Sequence, residues 1–139
     1  MQHLLYLLCI IPATLFAQVR LTHESGPFLE ISTDNYLVKI KKDNSGIELT
    51  RDNRIIALSS DTALAFGYKG QRHKVTAVKS WKLMGKTLFI NTETTHDKIN
   101  ADLIIRFESH QMVIDWKLPE FLVAQDVTLS FQLEPGKHW

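Results

Sequence analysis

The sequence predicts an all-β, antiparallel fold, a sandwich or barrel, and three stretches near its end carry that prediction. Between Ala101 and Phe107, Ala101, Leu103, Ile105 and Phe107 point one way, while Asp102 and Arg106, with Glu108 beyond, point mostly the other. Met112, Ile114, Trp116 and Leu118 share a face opposite Gln111, Asp115 and Lys117, and Val127, Leu129, Phe131 and Leu133 alternate with Thr128, Ser130, Gln132 and Glu134. A side-chain period of two is what a strand with one buried and one wetted face requires, and a helix does not sort residues this way. No segment from Val19 onward follows a helical period.

The earlier elements repeat the pattern. Phe28–Ile31 is a short strand, followed by Asn35–Ile40 with Tyr36, Val38 and Ile40 on one face. Asp43-Asn44-Ser45-Gly46 reads as a tight turn, because Asn and Gly tolerate positive φ. Ile47–Leu49 returns, Asp52-Asn53 turns again, and Arg54–Leu58 follows as a meander. Thr62–Tyr68 and His73–Leu83 are two further strands separated by Lys69-Gly70-Gln71. Met84-Gly85-Lys86 breaks the pattern, Thr87–Ile90 resumes it, and His96-Asp97-Lys98 and Ser109-His110 supply the remaining turns. Strands spaced at roughly ten residues with turn signals between them suit a single sandwich or barrel domain.

Residues 1–17 differ in kind. Leu4–Phe16 is an apolar run too short to span a bilayer, and Ala17 precedes the polar Gln18-Val19-Arg20. This predicts a secretory signal peptide cleaved near Ala17, export to the periplasm or beyond, a mature domain over 18–139, and no membrane span after cleavage. Cys9 is the single cysteine of the 139-residue chain, so the mature domain forms no disulfide and depends on its core. A chain of this size buries roughly two thirds of its unfolded surface, enough for a core without staples. The formal net charge of +1, with Lys and Arg scattered, gives no footprint for nucleic acid.

No complete catalytic constellation is present. His23, His73, His96, His110 and His138 lack the spacing that puts metal ligands on one helical face, so neither a metal nor another cofactor is expected. Asp97, Asp102 and Asp115 are carboxylates of the type a glycosidase pairs across a pocket, but Asp115 falls on the wet face of its strand. There is no nucleophile elbow, P-loop or dinucleotide glycine pattern. Aromatic faces stack on sugars; Trp81 and Trp116 alternate with core residues, which leaves Trp139 as the one candidate for carbohydrate contact.

The order of features resembles the N-terminal region of secreted glycoside hydrolases of family 31, the α-glucosidase, α-xylosidase and α-galactosidase group, over roughly Tyr36–Trp139. The resemblance lies in Tyr36-Leu37-Val38-Lys39-Ile40, in Gly46-Ile47-Glu48-Leu49 with Arg51 before the next hairpin, in the long central strands, and in the run from Val127 to Trp139, which is similar to the family's last sandwich strand. It implies a galactose-mutarotase-like β-sandwich beside a (β/α)₈ barrel, with a Tyr-Gly-x-Gly-Glu continuation beginning after Trp139. The family's catalytic aspartates belong to that barrel, so no catalytic residue carries over to this chain.

The expectation is therefore a truncated, non-catalytic accessory sandwich, with a missing C-terminal barrel as its partner and carbohydrate as the ligand of the whole enzyme. Alone it should hydrolyse no α-glycoside and should be poorly soluble. The alternatives are a stand-alone carbohydrate-binding module and an exported structural sandwich. An exposed coplanar pair of aromatics would favour the binding module; a bare apolar patch without such a pair would favour the accessory domain.

Overall fold

The computed structural model describes residues 18–97, 99–119 and 127–133, with the backbone alone at 60–63 and 127–133. The predicted leader, the segment 134–139 and Trp139 lie outside the described residues. Ten strands follow in order: β1 (Arg20–His23), β2 (Phe28–Ser32), β3 (Leu37–Lys41), β4 (Ile47–Arg51), β5 (Arg54–Tyr68), β6 (Gln71–Met84), β7 (Thr87–Thr94), β8 (Asn100–Phe107), β9 (Met112–Lys117) and β10 (Val127–Leu133). The fold is all-β, as the alternation predicts. Every ladder is antiparallel, and each strand from β1 to β8 pairs with the next.

The path divides into two sheets, one of them a curled half-barrel. β6 makes the change: Gln71–Lys74 pairs with β5, and Val75–Met84 pairs with β7. β10 pairs with β5 from Ala57 to Phe66. At Ala57 and Leu58, β5 lies between β4 and β10, whereas at Ala65 and Phe66 it lies between β6 and β10. β5 is thus the stem from which the two sheets part.

Facing side chains of the two sheets make the main core. Leu29, Ile31, Val38, Ile40 and Ile47 meet Leu88, Ile90, Leu103, Ile105 and Phe107. Each such side chain stabilises the fold by roughly 1.5–3 kcal/mol relative to exposure. Smaller clusters continue the core beneath β5 and β6, around Leu64, Val75 and Ala101 and around Phe66 and Ile99. The predicted inward set of β8 is buried in full. Met112, Ile114 and Trp116 of β9 pack against the same core, so their predicted face is also the inner one.

The hairpins follow turn chemistry with one departure. Asp52 and Asn53 adopt φ of 50° and 60°, and Lys69 and Gly70 adopt 49° and 76°, the paired left-handed conformation of a two-residue type I′ turn. In the β3–β4 connection, however, the positive φ falls on Ser45 (58°) rather than on Asn44 or Gly46. Asn44 Oδ1 accepts from Gly46 N–H at 2.8 Å, which closes a local side-chain turn and puts Ser45 at the left-handed position. Gly46 is needed for space: a Cβ there would stand 2.9 Å from Asn44 Oδ1.

Polar contacts between distant segments hold the layers in register. Tyr36 Oη lies 2.9 Å from Glu108 O and 3.0 Å from Gln111 O, and Asn35 Nδ2 donates to Ser109 O at 2.6 Å. Together these fasten the start of β3 to the β8–β9 turn. Elsewhere Val78 N–H donates to Lys42 O at 2.7 Å, beside the register shift between Val78 and Ser80. Among the described residues no helix is long and apolar enough to cross a membrane.

Candidate functional site

The outer face of the β6–β9 sheet is set by register. Inward, Trp81, Ile90, Leu103 and Trp116 form one cross-strand row. Outward, the neighbouring rows are Lys82, Phe89, Ile104 and Asp115, and then Ser80, Asn91, Asp102 and Lys117. A hollow of about 330 Å³ lies on this face, lined among others by Ser80, Phe89, Asn91, Asp102, Ile104 and Lys117. Phe89 is 40% exposed, an unusual placement for an aromatic residue in the middle of a sheet.

Asn91 Nδ2 donates to Asp102 Oδ1 at 2.7 Å across β7 and β8. In the next row, Arg106 and Asp115 form an exposed ion pair at 3.3 Å. Asp102 and Asp115 therefore share one face, diagonal to each other across β8 and β9, and each already has a partner. Both stand in solvent, whereas a general acid for glycoside cleavage needs an enclosed site to keep its proton near neutrality. Asp97, the third carboxylate candidate, is 87% exposed at a turn beside His96 Nδ1, 3.6 Å away.

The histidines do not converge on a metal: no group of three His, Cys, Asp or Glu side chains among the described residues could hold one. His23 and His110 are exposed, and His138 lies outside the described residues. His73 is buried instead, its ring 5.6 Å from that of Phe66 and 5.1 Å from that of His96, with Nδ1 3.2 Å from Thr95 Oγ1. Tyr68 completes this cluster edge-on to His96 at 5.7 Å. It is an aromatic packing unit at the β5–β6 end of the fold.

Trp81 and Trp116 are half-buried and pack on the core, as their alternation predicts. Lys42 Nζ sits 4.7 Å from the centroid of the Trp81 ring, an attraction of about 0.5–1 kcal/mol at a partly exposed site. Lys42 Nζ also donates to Glu24 O, so one side chain links β1's end, β3's end and β6. Trp116 Nε1 is buried without a hydrogen-bond partner among the described residues.

Phe89 and Ile104 are functional candidates that the sequence alone does not single out. Leu88-Phe89-Ile90 and Leu103-Ile104-Ile105 are apolar triplets, and a triplet does not say which member faces out. The available signal is positional: alternation buries the flanking residues and so turns the central one outward. No protein-family model, curated protein or solved structure matches this chain.

Proposed function

We propose that the chain is the non-catalytic N-terminal β-sandwich of a secreted α-glycosidase, supporting a catalytic barrel and shaping the edge of its carbohydrate pocket. The observation that carries this reading is the position of β10. The segment that resembles the family's closing sandwich strand, Val127–Leu133, lies along β5, the stem shared by both sheets. A strand placed there pairs with the stem that both sheets share, the position expected of a strand that closes the sandwich.

The test is the reading frame and its product. Protein extended beyond Trp139 should contain a Tyr-Gly-x-Gly-Glu stretch and a barrel, and should hydrolyse aryl α-glycosides. The present chain alone should show no turnover. Turnover by the short chain, or a stop codon directly after Trp139, would defeat the proposal.

A further inference from the structure

A cross-strand apolar pair such as Phe89–Ile104 steadies a sheet by about 0.2–1 kcal/mol on its own, so the pair does not by itself call for a ligand. The row beside it adds hydrogen-bonding groups. Ser80, Asn91, Asp102 and Lys117 stand side by side over four strands, two residues along from the apolar row. The 2.7 Å bond from Asn91 Nδ2 to Asp102 Oδ1 holds both side chains and leaves Asn91 Oδ1 and Asp102 Oδ2 to accept. A hydroxyl donor on Ser80 and an ammonium donor on Lys117 flank them, and Lys117 has no ion pair among the described residues. Strands lie roughly 4.8 Å apart and residues two apart on a strand lie roughly 6.6 Å apart, which is the scale of one sugar ring and its hydroxyls.

We infer that this hollow binds a single pyranose ring bearing two adjacent free hydroxyls. The apolar ring face rests on Phe89 and Ile104, the hydroxyls donate to Asn91 Oδ1 and Asp102 Oδ2, and Ser80 and Lys117 donate to the sugar oxygens. The hollow's volume of about 330 Å³ falls at the small end of ligand sites, as suits one ring and not a long platform. Phe89 is the single exposed aromatic among the described residues, so no coplanar pair extends the surface. The inference rests on this surface and not on the chain's parentage, so its failure would leave the proposed function standing.

The purified chain is titrated with maltohexaose, with cellohexaose and with permethylated maltohexaose, followed by amide chemical-shift changes. At least one free hexasaccharide should give saturable shifts confined to Phe89, Asn91, Asp102, Ile104 and their neighbours, and the permethylated sugar should give none. Phe89→Ala should weaken binding roughly tenfold, and Asp102→Ala by a similar factor, with Phe89→Tyr retaining it. Both positions are solvent-facing, and a Phe89→Ala protein that fails to fold leaves Asp102→Ala to decide. No saturable shift with either free hexasaccharide, equal binding of the permethylated one, or binding unchanged in the folded variants would overturn the site.

Discussion

Tyr36 offers the sharpest test of how the two sheets are held together. Its ring is 6% exposed within the core, and its hydroxyl reaches two carbonyls of the β8–β9 turn. Tyr36→Phe keeps the ring and removes only that hydroxyl. Gln111 O retains Glu108 N–H as a donor at 2.9 Å, so Glu108 O is the group that loses most. Because the turn is solvent-facing, water can approach that carbonyl, and the cost should stay near about 1 kcal/mol rather than a full buried-group penalty. For a domain of this size that is a fall in Tm of about 3–5 °C.

The alkaline arm is more discriminating. Burial, the largest cause, pushes the Tyr36 phenol above its ordinary 10.0. The folded state therefore keeps its proton where the unfolded chain has lost it. The resulting stability is complete below the unfolded value and is lost as pH climbs through the higher folded value. Urea denaturation followed by tryptophan fluorescence, at about pH 8 and again above pH 10, should show the wild type approaching the Phe variant, because the other titrating groups are common to both. Equal stability at about pH 8, or a gap that does not narrow above pH 10, would refute the reasoning.

Three further substitutions probe the scaffold by the same denaturation assay. Ser59→Ala removes the buried acceptor that Ile47 N–H reaches at 2.6 Å, and should cost about 1–3 kcal/mol. Ser45→Gly should be neutral or stabilising by up to about 1 kcal/mol: it relieves a φ of 58° and deletes a buried hydroxyl that has no partner among the described residues, against the greater freedom of an unfolded glycine. Leu103→Ala, at a fully buried position between the sheets, should cost about 3–5 kcal/mol, and a loss below about 1 kcal/mol would contradict the two-layer core.

The parts of the fold legible in the sequence are those where alternation is strict. Ala101, Leu103, Ile105 and Phe107 announce β8 because each outward neighbour apart from Ile104 is polar. The Asp52-Asn53 hairpin is legible because both residues accept the left-handed conformation that the turn imposes. β1 escapes a sequence reading, since only Val19 and Leu21 reach the core and two apolar residues do not establish a period. The unity of β5 escapes it too. Arg54–Leu58 and Thr62–Tyr68 read as separate strands, with Ser59-Ser60-Asp61 left between them. In the structure one strand runs through that point, and the irregularity is absorbed by a register shift against β10 between Leu129 and Phe131. What changes there is which partner β5 has, and a change of partner leaves no mark on local alternation.

The same argument explains why the candidate site is less legible than the fold. Counting apolar residues makes Leu88-Phe89-Ile90 and Leu103-Ile104-Ile105 the most core-like runs of their hairpin. Only the pairing of Leu88 with Ile105 and of Ile90 with Leu103 commits those four residues inward. That commitment turns Phe89 and Ile104 out, directly opposite each other. Asn91 and Asp102 are ordinary polar residues along the chain, yet the same register makes them a hydrogen-bonded pair beside the apolar one. A one-residue slip of β7 against β8 would keep every local preference satisfied while dispersing all four side chains. The site is therefore a property of register, and register is fixed by the burial of the opposite face. The same pattern that builds the core thus assembles the surface that the binding experiment interrogates.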